Sequence, residues 1–258
     1  MKVIKIGGNI VDNPEKLDRF LADFAALEGD KVLVHGGGKI ATTISKALGI
    51  ETQMIDGRRV TDAETLRVVT MVYAGLVNKT IVAKLQALGC NALGLSGADG
   101  RFIVSEKRAA APVDYGFVGD PVLEKFGLDA AKSLIGSGFT PVAAPITWSE
   151  RGDLLNTNAD TVAQTIATAM AGAGEEVELV YCFEKQGVLS DVNDDDSVIP
   201  HIDEAVFAAL KADGTVEGGM LPKLENAFKA IGSGVLSVVI CAAENITKSG
   251  YGGTTIAK

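Results

Sequence analysis

Val32-Leu33-Val34-His35-Gly36-Gly37-Gly38-Lys39-Ile40 decides the fold. A short apolar run ends in three glycines, and a helical pattern, Ile40–Leu48, starts behind them. A strand that hands over to a helix through so tight a turn belongs to an α/β architecture. Three consecutive glycines exceed the needs of a positive-φ turn. Their unobstructed N–H groups at a helix start suit an anion cradle. The bland alternative is a strand-to-helix turn in which His35 is a positioned loop residue. The spacing matches neither Gly-x-Gly-x-x-Gly nor Gly-x4-Gly-Lys-[Ser/Thr], which weighs against a Rossmann dehydrogenase and a Walker A site.

The alternation continues on both sides of this stretch. Val3–Ile6, Val32–Val34, Ala92–Leu95, Thr140–Ala144, Val177–Tyr181 and Val235–Ile240 are expected strands. Some carry adjacent apolar residues, as parallel strands covered on both faces do. Helices are expected over Pro14–Leu27, Ile40–Leu48, Ala63–Tyr73, Leu76–Leu88, Leu128–Ile135, Ala159–Met170, Asp203–Leu210 and Leu221–Ile231. Pro14 behind Asn13 fits the first helical position after a cap. This order predicts an α/β fold with a mostly parallel central sheet sandwiched by helices. Ile103–Val104 and Val113–Val118, around the charged turn Ser105–Ala111, predict an inserted β-hairpin that serves as a lid. The polar break Gly172–Glu176 divides the chain into lobes 1–173 and 174–258. Asp191–Asp196 reads as a solvated acidic turn.

The chain has 258 residues, 47% of them hydrophobic and 22% charged, which marks a globular protein with a sizeable core. With 24 basic and 33 acidic residues the net charge is −9. Broad nucleic-acid binding needs the opposite balance. A local basic pocket for a small anion remains compatible with it. The longest uncharged stretch, Ser133–Ser149, is broken by Gly136, Gly138, Pro141 and Pro145, so no membrane span is expected. Met1-Lys2 runs into the first strand without an apolar leader. Cys90, Cys182 and Cys241 match neither a metal-ligand spacing nor a disulfide framework. A reducing cytoplasm and no protein-held metal are expected.

Four further segments carry chemistry. Lys5-Ile6-Gly7-Gly8 puts a lysine near the end of a buried strand, ahead of two glycines that let a ligand approach the backbone. A tight turn with a snorkelling lysine is the bland alternative. Gly57-Arg58-Arg59-Val60-Thr61-Asp62 offers a guanidinium for a carboxylate, with Thr61 and Asp62 as caps for the next helix. In Asn156-Thr157-Asn158-Ala159-Asp160, capping accounts for Asn158 and leaves Asn156 and Asp160 for a polar role. Gly218-Gly219-Met220-Leu221-Pro222-Lys223 repeats the pairing of a Gly-Gly turn with a lysine. Two such pairings imply two phosphate-handling points, one in each lobe.

Together with Tyr115–Gly119 in the hairpin, these motifs resemble the amino acid kinase family, most of all its members acting on N-acetylglutamate. The resemblance runs from Lys5 to the C-terminus. It implies phosphorylation of the γ-carboxylate of N-acetyl-L-glutamate, or a related N-acylglutamate, by ATP in arginine biosynthesis. It implies Lys5, Lys223 and Asp160 as catalytic residues, and Gly37, Gly38, Arg59 and Asn156 as substrate-binding residues. Gly7, Gly8, Gly187, Val188, Leu189, Gly218 and Gly219 would meet the phosphates and nucleotide. Mg²⁺ would be held through ATP phosphates, the N-terminal lobe would dimerise, and neither nucleic acid nor membrane would be a partner. Arginine-inhibited members resemble this chain but carry an extra N-terminal helix, so a homodimer without that feedback site is expected. Two departures stand out. Phe183-Glu184-Lys185-Gln186-Gly187-Val188-Leu189 occupies the place of a Thr/Ser-Asp-Val-x-Gly-Val/Ile-Leu segment, and Arg58 replaces an apolar residue. The rival expectations are another small-molecule kinase of the same fold, such as a glutamate 5-kinase or carbamate kinase, and a non-catalytic amino-acid or nucleotide sensor.

Overall fold

The apolar runs pair into one eight-stranded sheet. The computed structural model describes residues 1–55, 57–216 and 220–258, with 222, 249 and 250 described by backbone alone. The strands are β1 (Lys2–Ile6), β2 (Lys31–His35), β3 (Ala92–Leu95), β4 (Thr140–Ala143), β5 (Glu178–Phe183), β6 (His201–Ile202), β7 (Ser237–Ala242) and β8 (Thr254–Ile256). Their order across the sheet is β6-β8-β7-β5-β1-β2-β4-β3. Every adjacent pair is parallel except β7 with β8. The sheet is continuous across the expected lobe boundary, because β5 pairs with β1 over five residue positions. Strand order reverses at β1, with β2 laid on one side and β5 on the other. In an open parallel sheet a crevice forms beyond the strand ends at such a switch point.

Helices cover both faces. They are α1 (Gly8–Val11), α2 (Pro14–Ala26), α3 (Gly38–Ala47), α4 (Ala63–Val69), α5 (Asn78–Ala87), α6 (Leu128–Gly136), α7 (Ala159–Gly172), α8 (Glu204–Ala212) and α9 (Met220–Gly232). Alternate strand residues point to opposite layers, as the two-residue pleat requires. Ile4, Ile6 and Leu33 pack with Phe20 and Phe24 of α2 and with Val69 and Ile81 of the α4–α5 run. Val3, Val32 and Val34 pack with Ile166 of α7 and Leu224 of α9. Each such side chain contributes about 1.5–3 kcal/mol on burial.

Three expectations need correction. The two helices expected over Ala63–Tyr73 and Leu76–Leu88 are one continuous run, in which Thr70–Val77 is π-helical between α4 and α5. The widened turn carries the helix through Ala74 and Gly75, which lie between the two expected helices. The 25-residue run Ala63–Ala87 contains an 18-residue window of mean hydropathy 1.3, long and apolar enough by length and composition alone to cross a membrane. Here the apolar side chains Val68, Val72, Val77 and Leu85 are instead buried in the core. The inserted hairpin exists, but its arms are Ser105–Lys107 and Gly119–Pro121. Its charged first arm was expected to be the turn. Ser105 is buried while Glu106 and Lys107 are both exposed, so this arm leaves the core after its first residue and both of its faces meet solvent. A second small antiparallel pair, Ile146–Trp148 with Leu154–Asn156, was not anticipated, nor were β6 and β8. Strands of two or three residues are too short to show a period.

Gly119 fixes how this hairpin lies on the second pair. A Cβ there would sit 2.7 Å from Thr147 Oγ1, 2.8 Å from Leu155 Cβ and 2.9 Å from Thr157 Oγ1. Gly119→Ala should therefore destabilise the protein by about 1–3 kcal/mol, as overpacking does. Denaturant unfolding of the two proteins measures it, and equal midpoints would contradict this packing.

Candidate active site

The carboxyl ends of β1, β2 and β5 converge on one crevice. Gly7 ends β1 and caps α1, and Gly37 caps α3. Gly36 N–H donates to Ile6 O at 3.2 Å and holds the second glycine loop against the first. Gly37 has φ +154°, and a Cβ on it would lie 3.2 Å from the Tyr73 ring and 3.3 Å from Val77. Both backbone and wall therefore demand glycine, and that wall is the π-helical segment.

His35 lies beneath the loop and is fully buried. Its Nδ1 is 2.8 Å from Gly36 O, which can only accept, so the ring proton sits on Nδ1. Nε2 then accepts from Asn78 Nδ2 at 3.1 Å, and Asn78 also donates to Val142 O at 2.9 Å. Burial lowers the imidazole pKa from 6.5 to about 4.

Lys5, on β1, is 8% exposed, and its Nζ is 2.7 Å from Asp160 Oδ1. Asp160 stands in the first turn of α7, where Asn158 accepts hydrogen bonds from Asp160 N–H at 2.7 Å and Thr161 N–H at 3.3 Å. A helix N-terminus favours a carboxylate there. Lys223, from the first turn of α9, reaches the same crevice. Its ammonium lies 3.8 Å from the centre of the Phe183 ring, and that of Lys5 lies 5.3 Å from it. Burial holds the Lys223 pKa below the ordinary lysine value. The Asp160 charge opposes that shift, and the Lys5 charge adds to it. Among the described residues, Asp160 makes an ion pair with Lys5 and none with Lys223.

Arg59 is 9% exposed. Its guanidinium donates to Thr52 Oγ1 at 3.1 Å, Gly38 O at 3.0 Å and Thr42 Oγ1 at 2.8 Å. Among the described residues no carboxylate pairs with it. A buried cation without a counter-ion marks a place for an anion. Asn156 donates to Thr61 Oγ1 at 3.0 Å. Arg59 and Asn156 line a hollow of about 700 Å³ with Gly37, Gly38 and Asp160. Gly7 and Gly187 line a second hollow of about 210 Å³. The two hollows share Phe183, Lys223 and Ile240.

Most residues singled out in the sequence meet here. Gly8 sits at the start of α1 beside them. Val188 is buried in the second core layer and Leu189 bridges Val198, so neither lines the two hollows. Gly187 packs tightly, because a Cβ would meet Thr254 Oγ1 at 2.7 Å. Gly218 and Gly219 lie outside the described residues. Sequence reasoning missed Tyr73, Arg108 and Tyr181 on the walls of the larger hollow. They carry no local motif, and each looks like core or surface in its own segment.

The neutral state of His35 sets a pH dependence. Its folded pKa, about 4, lies below the unfolded 6.5, so the unfolded chain binds more protons between them. Stability should fall as pH drops from about 6.5 to about 4, with a full contribution on the order of 3 kcal/mol. Denaturant midpoints across that range should drop more steeply for the native protein than for His35→Asn.

The model of the amino acid kinase family matches residues 1–242. The acetylglutamate kinase of Bacteroides thetaiotaomicron is 58% identical over 246 residues, covering 95% of this chain and 95% of that protein. The acetylglutamate kinase of Cytophaga hutchinsonii is 56% identical over 247 residues, covering 95% of this chain and 92% of the other. The solved N-acetylglutamate synthase of Neisseria gonorrhoeae superposes on 100% of this chain and 59% of its own, with TM-score 0.83. At 20% identity that likeness speaks for the fold alone. By the match over residues 1–242 and these relatives, the chain belongs to the amino acid kinase family.

Proposed function

We propose that the protein transfers the γ-phosphoryl group of ATP to the γ-carboxylate of N-acetyl-L-glutamate, giving an acyl phosphate and ADP in arginine biosynthesis. One observation carries the reading. Two lysines from distant parts of the chain face one ring at the junction of two hollows, and the larger hollow holds a buried arginine that pairs with no carboxylate among the described residues. The acetylglutamate kinases named above support the same substrate.

A carboxylate is ionised at pH 7 and needs no general base. The obstacle is repulsion between two anions and the charge that spreads over the transferring group. A carboxylate oxygen forms the new bond to phosphorus as the bond to the ADP oxygen breaks. Lys5 neutralises the transferring group, and Asp160 holds Lys5 in place. Lys223 meets the ATP phosphates from the other hollow. Backbone N–H groups of Gly8 and Gly37 donate to phosphate oxygens. Arg59 grips the α-carboxylate, and Asn156 bonds polar groups beside it. The hairpin covers the acyl end. An acylated amine cannot attack the acyl phosphate and cyclise.

Residues 1–173 form the acyl-amino-acid and dimer lobe in this reading, and 174–258 the nucleotide lobe, with Gly187 on the nucleotide wall. Among the described residues there is no cluster of three or more His, Cys, Asp and Glu side chains suited to a metal. Mg²⁺ would enter with the ATP phosphates, would need no such cluster, and would supply neutralisation of phosphate charge. The protein acts in the cytoplasm as a homodimer. Met71 and Leu76, more than half exposed on the π-helical segment, offer an apolar surface for it. A non-catalytic sensor would have no need of the Lys5–Asp160 pair and Lys223 together.

Lys5→Ala and Lys223→Ala should each lower kcat by about 10²–10³-fold, the usual loss of one charged stabiliser in a desolvated site. Arg59→Ala should chiefly raise the KM for N-acetyl-L-glutamate. Coupled ADP release with N-acetylglutamate, N-succinylglutamate and free glutamate checks the substrate. Full turnover by Lys223→Ala, or a preference for free glutamate, would overturn the assignment. Sedimentation should give a dimer, and a monomer or a larger assembly would refute that part.

A further inference from the structure

Phe183 ends β5, at the position where the family resemblance leads one to expect Thr or Ser. Its ring stands on the boundary of both hollows. The Lys223 ammonium is 3.8 Å from the ring centre and the Lys5 ammonium 5.3 Å. Both distances fall within the range where the negative face of an aromatic ring attracts a cation. The ring is itself fixed, because Tyr181, two residues back on the same face of β5, stacks with it at 6.3 Å and 30°. Two like charges in a partly desolvated crevice repel each other, and Asp160 touches Lys5 alone among the described lysines. Lys223 therefore has the ring, and no carboxylate among the described residues, as its contact.

We propose that Phe183 is a positioning residue whose ring seats the Lys223 ammonium, and less closely that of Lys5, beside the path of the transferring phosphoryl group. This rests on the lysine roles proposed above. A serine or threonine here would leave Lys223 free to swing into solvent or away from Lys5. The ring keeps both charges in the crevice without adding an anion that would repel phosphate. Among the described residues, the charged and titratable groups that line the hollows with Lys223 include Asp160 of α7, Tyr181 and Cys182 of β5, Glu184 and Lys185 after it, and Arg59 and Arg108 farther along the larger one, and the Lys5 charge also acts on it. On α9 itself, Glu225 is engaged by Lys211 at 3.0 Å.

The test compares Phe183→Leu and Phe183→Met with Phe183→Tyr, beside Lys223→Ala. Methionine fills most of the volume without a ring, which guards against a folding failure of the leucine variant. Loss of the ring should lower kcat by about 3–30-fold, the range of one to two cation–π contacts. The KM for N-acetyl-L-glutamate should stay within about twofold, since Arg59 sets it. Without the ring Lys223 loses its proton at lower pH, so the alkaline limb of the kcat profile should move down. Phe183→Tyr should keep both kcat and the limb. Native kinetics in the leucine and methionine variants, or a tyrosine variant as impaired as they are, would refute the proposal while a disabled Lys223→Ala left the site assignment standing. Full turnover by Lys223→Ala would sink both.

Discussion

The contact between Lys5 and Asp160 is the constraint around which the site is arranged. It joins the central strand to the first turn of α7, residues far apart in the chain, at 2.7 Å. Lys5 is nearly buried, and an ammonium group taken out of water is costly without a partner. Asp160 can be that partner because Asn158 fixes the helix start that carries it. The pair thus anchors one cation at the crevice floor, and a second cation can be brought beside it only against repulsion. Lys223 arrives with part of its hydration stripped, and the ring of Phe183 lies under it.

The sheet makes this arrangement possible. β1 lies between β5 and β2, and the reversal of strand order puts three loop-bearing strand ends side by side. Two of those ends carry glycine pairs or triplets, so backbone can line the crevice where side chains would fill it. The π-helical segment closes one wall with Tyr73 and Val77, which would crowd a Cβ at Gly37, where φ of +154° also favours glycine. His35 and Asn78 hold the loop from below through a buried chain of hydrogen bonds. Burial keeps this imidazole neutral, and the network gives both ring nitrogens a partner.

Arg59 shows a different logic. Its hydrogen bonds to Thr42, Thr52 and Gly38 O orient the guanidinium without neutralising it. The charge remains available to an anion entering the larger hollow. Lys5 and Arg59 are both nearly buried cations, yet among the described residues one is paired with a carboxylate and the other is not. That difference separates a cation held as part of the machinery from one held ready for a ligand.

The sequence by itself determined the alternation of strands and helices, the two-faced burial and the glycine-rich strand ends. These are local matters of period, propensity and backbone freedom, and they survive in any window of ten or twenty residues. Lys5, Asp160 and Lys223 were legible as motif members, because each sits beside glycines or a cap that a plain helix or strand does not need. Only the tertiary structure decided that Asp160 touches Lys5 and that Phe183 lies under two ammonium groups. It also decided that Glu106 and Lys107 belong to a strand and that 63–87 is one helix with a widened turn. Those outcomes depend on which side chains meet across the sheet and on burial from neighbouring layers, quantities no linear segment contains.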